Sequence, residues 1–271
     1  MKTAKLWTRN FRLVILASAM GTIGAIAGSF ALAFLVFDET GSTLASALIV
    51  AIQLLPYLLL PVLIAPLMDR LPRKAFLVAG DLANAALLAG MGLWLMAFDF
   101  SYVGYLALSL LLACLGAVDE LAFTSIYPEL IPEGAEEKGY AVSSMLYPIL
   151  KVVMTPLAAV LLDTLGVAWI LIAQSVFSLA AAATESLIRL DETARQQRAP
   201  YSLKAWGGDI REAVQYLKEE RGLRSIYEYM AVTNGVANGF SPILVAFFRT
   251  FPGFTAAMYA AFSVVEFAGR T

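Results

Sequence analysis

The sequence predicts an all-α membrane protein, a bundle of long apolar helices that cross a bilayer. Three observations predict it. Apolar residues make up 60% of the 271 residues and charged residues 15%, against roughly 45–50% and about 25% in soluble domains. Mean hydropathy is +0.75. Apolar runs long enough to span hydrocarbon recur along the chain, and its basic residues fall on one side of them. A soluble fold would have to wear the surplus apolar surface as patches; in a bilayer the outer surface is meant to be apolar. Barrel strands would alternate over about ten residues, and no such alternation occurs.

A span needs about 20 mainly apolar residues. The segments are Leu13–Phe37, Leu44–Met68, Phe76–Phe98, Tyr102–Ile126, Val142–Leu162, Val167–Leu187 and Ile226–Phe248, with an eighth opening near Thr255. The first is far longer than the about 7–15 apolar residues of a cleavable signal, so it reads as an uncleaved span. Short polar turns such as Asp38-Glu39-Thr40-Gly41-Ser42 force neighbouring helices to be antiparallel. With the N-terminus in the cytoplasm, every one of the 19 basic residues except Lys151 and Arg249 lies on the inner side. That bias supports both the orientation and the span count.

The one long polar stretch is Asp191–Arg224, in which Trp206, Ile210, Val214 and Leu217 repeat at helical spacing. It reads as an amphipathic helix, either on the cytoplasmic membrane surface or packed on the protein as a linker. The expected organisation is a six-helix bundle over 1–190, a cytoplasmic linker over 191–224, and the start of a second bundle over 225–271. The eighth segment reaches Thr271 without a closing polar loop, which reads as a chain that continues elsewhere.

Composition excludes several chemistries. A net charge of −2 carries no basic field for nucleic acid. Histidine is absent and Cys114 is the sole cysteine, so His-based acid–base work, His metal sites and an internal disulfide are all excluded. No G-x-x-x-x-G-K-[ST] motif occurs. A membrane enzyme would have only the adjacent carboxylates Asp119 and Glu120 to work with. No enzyme, cofactor or metal is expected.

Ionisable groups at the bilayer centre cost about 2.5–3.5 kcal/mol each on insertion scales. Asp119 and Glu120 in the fourth segment and Lys151 in the fifth are therefore candidate residues of a substrate or ion pathway. Adjacent helical residues point about 100° apart, so at most one of the two acids faces Lys151. Such a pair either exchanges with a cationic substrate or a proton, or only fixes helix packing. Asp81, Glu185 and Glu266 read as part of a cytoplasmic latch or as helix-end pairs. Gly24 and Gly28 form a small-xxx-small face for close helix crossing. Pro56, Pro61 and Pro66 permit bending of the second helix. Trp94, Trp169, Tyr102 and Tyr105 read as membrane-interface anchors.

The loop after the second segment reads Ala65-Pro66-Leu67-Met68-Asp69-Arg70-Leu71-Pro72-Arg73-Lys74. Asp69 is placed to accept from a helix N-terminus, and Arg70 and Arg73 to fork onto carboxylates; the same charges also serve simple positive-inside topology. The loop resembles the G-x-L-x-D-R-x-G-R-[RK] signature of the major facilitator superfamily. Leu67, Asp69, Arg70, Arg73 and Lys74 match, while Ala65 and Pro72 stand in place of glycine. Thr40-Gly41-Ser42, Gln53-Leu54-Leu55-Pro56 and Tyr127-Pro128-Glu129-Leu130-Ile131-Pro132 resemble the macrolide- and siderophore-exporter branch. The run Lys151–Val160 keeps Pro156 of the antiporters' fifth-helix motif and none of its glycines.

The resemblance implies a major facilitator-type bundle in which Asp69, Arg70, Arg73 and Lys74 latch two six-helix halves. It also implies that the seventh helix lines the cavity, making Asn234 and Asn238 candidate substrate contacts; an interhelical clamp is the other reading of that pair. The function expected is ion-coupled efflux of a small amphiphilic compound by alternating access, in the cell membrane. The partners expected are a small-molecule substrate, the lipid bilayer, and protons or another coupling ion. A lipid flippase of the same fold and a non-transporting membrane sensor are the alternatives.

Overall fold

The computed structural model describes residues 6–68, 72–190 and 203–268, without the side chains of 203–205, 209, 213, 237–239, 241–242 and 266–268. The described residues form helices α1 (Arg9–Thr40), α2 (Thr43–Met68), α3 (Arg73–Ala97), α4 (Tyr102–Leu130), α5 (Glu136–Leu165), α6 (Val167–Ser186), α7 (Leu203–Glu219), α8 (Arg221–Thr250) and α9 (Ala256–Ala268). Helices α1 to α6 are each long and apolar enough to cross a membrane.

The punctuation between helices is chemical. Thr8 caps α1, its hydroxyl accepting from the Phe11 N–H at 3.2 Å. Gly41 ends the helix with φ +61°, a backbone conformation that suits glycine, and its N–H donates to the Phe37 carbonyl at 2.8 Å. Ser101 caps α4 in the same way as Thr8 caps α1. Three prolines sit inside α2, which nevertheless continues from Thr43 to Met68.

Helix α6 is the hub. It packs along α3 and along α1, while α2 lies on α4 and α5 on α1. Close approach depends on small residues where helices cross. A Cβ on Gly92 of α3 would lie 2.8 Å from the Ala168 carbonyl oxygen and 2.8 Å from Ile172 Cγ1 of α6. On α1, a Cβ on Gly24 would lie 3.0 Å from Gln174 Cγ, and one on Gly28 would overlap the Gln174 carboxamide. The Gly24–Gly28 face is thus a packing surface, with α6 presenting Gln174 to it.

Elsewhere the outer surface is apolar. Leu44, Leu58, Val103 and Val176 are among many large side chains left exposed, which is what a lipid-facing surface requires. Trp94 and Trp169 are exposed in keeping with an interface role, but Tyr105 is only 1% exposed. Its hydroxyl donates to the Met91 carbonyl at 3.1 Å, and its ring stacks on Phe100. Tyr105 is therefore a core residue that ties α4 to α3; its phenol escapes the cost of burial by finding a backbone acceptor.

Helix α7 lies where the amphipathic repeat places it, and the Trp206 indole donates to the Leu63 carbonyl of α2 at 2.7 Å. Helix α8 meets the bundle near its C-terminal end. Val245, Ala246 and Phe248 are buried there, whereas residues 221–236 are all exposed.

Gly92→Ala tests the α3–α6 crossing. Helix propensity alone favours alanine by up to about 1 kcal/mol, but a methyl pressed against a backbone carbonyl cannot be relieved by a rotamer change. Thermal unfolding in detergent is expected to show a net loss of about 1–3 kcal/mol for Gly92→Ala. Gly90→Ala, with nothing within 4 Å of its would-be Cβ, is expected to be neutral or stabilising; equal behaviour of the two variants would contradict the close crossing.

Candidate substrate cavity

A cavity of about 1030 Å³ runs between the six-helix bundle and α8–α9. Helix α1 lines it for most of its length, from Ile15 to Val36, entirely with neutral side chains. Its chemistry comes from the other helices: Tyr57 from α2, Asp81 and Asn84 from α3, Asp119 and Glu120 from α4, Lys151 from α5, and Gln174 and Glu185 from α6.

The structure brings Asp119, Glu120 and Lys151 to this one cavity without joining them. Among the described residues no ion pair links either acid to Lys151, whose ammonium lies 5.7 Å from the centre of the Tyr147 ring. Asp119 packs instead against α3, with its Oδ1 3.6 Å from where a Cβ on Gly80 would lie. Its carboxylate neighbours include Asp81, Glu120 and Glu185. Asp81 and Glu185, expected at helix-end pairs, also line the cavity and make no ion pair among the described residues. The reason is helical phase: both point inward between α3, α4 and α6 rather than out to the helix-end solvent. The side chain of Glu266 lies outside the described residues.

Asn234 stands on the exposed part of α8 and is not among the residues lining the cavity. The side chain of Asn238 lies outside the described residues. Helix α8 contributes Phe240, Leu244 and Val245 to the lining, and α9 contributes Tyr259 and Ser263.

Of the loop residues, Asp69 and Arg70 lie outside the described residues. Arg73 begins α3 and is 9% exposed. Its guanidinium donates to the Ser125 carbonyl and, at 3.1 Å, to Glu129 Oε1 of α4. Lys74 donates to the Ser186 carbonyl at 2.6 Å and the Ile188 carbonyl at 2.7 Å, at the C-terminal end of α6. That end carries the negative pole of the helix dipole and unsatisfied carbonyls, so an ammonium fits it. Arg9 and Asn10 of α1 also donate to the carbonyls that follow α6, those of Leu187 and Arg189. The described partners of Arg73 and Lys74 all lie in the first six helices or just after α6, so these contacts tie α3 to α4 and to the end of α6.

Sequence reasoning missed a second set of contacts, at the opposite end of α1. Arg249 of α8 donates to Asp38 Oδ2 at 2.6 Å, and its guanidinium sits 4.7 Å above the Phe34 ring. Beneath it Tyr259 of α9 meets Phe30, Phe34 and Phe248 at ring-centre separations of 5.8, 5.4 and 5.6 Å. Met154, Ala158 and Ala159 of α5 complete this core. The signal was present: Arg249 is the one basic residue on the side where Asp38 lies, but 211 positions separate them.

A bundle of six membrane-crossing helices around a polar, carboxylate-bearing cavity defines a multi-pass membrane protein of the major facilitator type. The chain belongs to the transmembrane secretion effector family of that superfamily, which it matches over residues 2–249. Neither a curated protein nor a solved structure matches it.

The clasp between Asp38 and Arg249 is tested by charge swap. Both side chains are part-exposed, so the pair itself contributes about 0.2–1 kcal/mol. Asp38→Arg and Arg249→Asp are each expected to lower the thermal midpoint by confronting like charges, and the double swap to restore most of it. Additive losses in the double variant would contradict the pairing.

Proposed function

We propose that this protein is a secondary active transporter that moves a small amphiphilic compound, outward and coupled to an ion, by alternating access. The observation that carries this reading is the cavity. Its volume of about 1030 Å³ suits a drug-sized ligand. It is lined by neutral residues on α1 and by ionisable groups at membrane depth on α3 to α6. Ionisable residues facing the interior of a membrane bundle mark pathways. Family membership supports the same reading at the level of a transporter.

Alternating access needs two bundles that seal the cavity at one end at a time. The Asp38–Arg249 clasp and the aromatic core beneath it supply a seal at the C-terminal end of α1. With the N-terminus placed in the cytoplasm on the positive-inside pattern, that is the outer end, and the cavity belongs to an inward-facing state. The membrane proposed is the cell membrane. In the same reading Asp69, Arg70, Arg73 and Lys74 brace the inner end of the bundle and latch it against the second half in the other state. Asn234 meets substrate only after α8 moves, and Asn238 is proposed as a further substrate contact on the same helix. The chain carries out no chemistry on its cargo.

Counterflow in proteoliposomes tests the proposal. Vesicles preloaded with an unlabelled amphiphile are expected to accumulate its labelled form transiently, for at least one member of a panel of cationic, neutral and anionic amphiphiles. Uptake no faster than in protein-free vesicles across the panel would overturn it.

A further inference from the structure

Asp81, Asp119 and Glu185 come from three different helices, α3, α4 and α6, and face one part of the cavity. Each of Asp119 and Glu185 has Asp81 as an electrostatic neighbour, and Glu185 has Asp119 as well. Glu185 is only 6% exposed. Its Oε2 and the Oδ1 of Asp119 are buried without a hydrogen-bond partner among the described residues.

Among the described residues, no ion pair neutralises them. Helix α1 lines the cavity with neutral residues alone. Helix α2 offers the Tyr57 phenol, which feels the charges of Asp119 and Glu120. Helix α4 adds a further acid, Glu120, α3 adds Asn84, and α6 adds Gln174, whose Oε1 is likewise buried without a partner. Helix α5 carries Lys151 and Tyr147 on the same cavity wall, yet the electrostatic neighbours of Asp119 and Glu185 are other acids. Among the described residues, helices α8 and α9 contribute no charged side chain to the lining.

Buried acceptors without donors are costly, and like charges brought together in low dielectric are costlier. A fold that keeps these three acids facing a cavity, two of them with a buried oxygen that lacks a donor, leaves a place for a positive, hydrogen-bond-donating guest. We propose that Asp81, Asp119 and Glu185 form one recognition site for the cationic nitrogen head of an amphiphilic substrate, an ammonium or amidinium-like group. The inference rests on the transport reading and names its substrate class. The site lies apart from Lys151, and it recruits Asp81 and Glu185 from the helix ends to which sequence alone assigns them. The apolar part of the guest then lies against α1, along Thr22, Ile26 and Phe30.

The test uses the full chain in nanodiscs with ethidium, a cationic dye bearing amino N–H donors, as probe. Saturable binding is expected, weakened at least tenfold by each of Asp81→Asn, Asp119→Asn and Glu185→Gln. Asp163→Asn, exposed on α5 and outside the cavity, is expected to leave it unchanged. The three isosteric variants are also expected to keep or raise the thermal midpoint, because each removes a repelling charge; a purely structural role would lower it. Unchanged ethidium binding in all three variants, or no saturable binding to wild type, overturns the proposal. So does loss of proton uptake, followed with a pH dye, in variants that still bind ethidium normally; that outcome marks a proton site only. Counterflow of a cationic amphiphile that survives in the three variants, with ethidium binding unchanged, shows the transport reading standing while this inference falls. Triad-dependent ethidium binding without any counterflow in the panel shows the reverse.

Discussion

Water is missing from the middle of a bilayer, and everything else in this molecule follows from that. A backbone N–H or carbonyl left unpaired in hydrocarbon costs several kcal/mol, so each crossing segment closes its own hydrogen bonds as a helix. The same constraint sorts side chains. Leu58, Val103 and Val176 face outward at no cost, while Asp81, Asp119, Lys151 and Glu185 turn toward the interior cavity. The cavity is thus where the expensive residues of α3, α4, α5 and α6 collect.

Since lipid tails are as apolar as leucine, hydrophobic burial does not hold the helices together; close packing and interhelical hydrogen bonds do. This explains where the tight contacts lie. Gly92 lets α3 approach the Ala168 carbonyl of α6, and Gly24 with Gly28 lets α1 accept Gln174. At the N-terminal end of α1, donors from Arg9, Asn10 and Lys74 converge on the exposed carbonyls that follow α6. Helix α6 is therefore gripped along its length by small residues and at its end by charge. One contiguous framework positions the acids of α3, α4 and α6 relative to each other.

Most of the fold was legible in the sequence, because span length and basic-end bias are local properties. The six bundle helices fall where the apolar runs put them, with ends moved outward by a turn or two at α1, which Thr8 caps, at α4, which runs on to Leu130, and at α5, which begins at Glu136. The site was less legible. Asp119, Glu120 and Lys151 were identifiable as membrane charges, and they do share a cavity. Their pairing was not readable, since it depends on the rotation of α4 relative to α3 and α5, which hydropathy does not encode. Asp81 and Glu185 looked like helix-end residues by position, and only the phase of α3 and α6 turns them inward. Tyr105 was mistaken for an interface anchor because its acceptor, the Met91 carbonyl, lies on another helix. The Asp38–Arg249 clasp joins residues too distant in sequence for any local pattern to link.

The central claim is that the polar face of this bundle encloses a water-reachable path while its apolar face meets lipid. Site-directed thiol labelling measures it directly. In a Cys114→Ala background, single cysteines replacing Ser18, Asn84 or Thr155 on the cavity wall are compared with cysteines replacing Leu58, Val103 or Val176 outside, using a membrane-impermeant reagent on sealed vesicles. The account predicts rapid labelling of the first set and none at Leu58 or Val176, the deepest positions of the second. Equal labelling of the two sets, or cavity cysteines inert from both faces of the membrane, would contradict it.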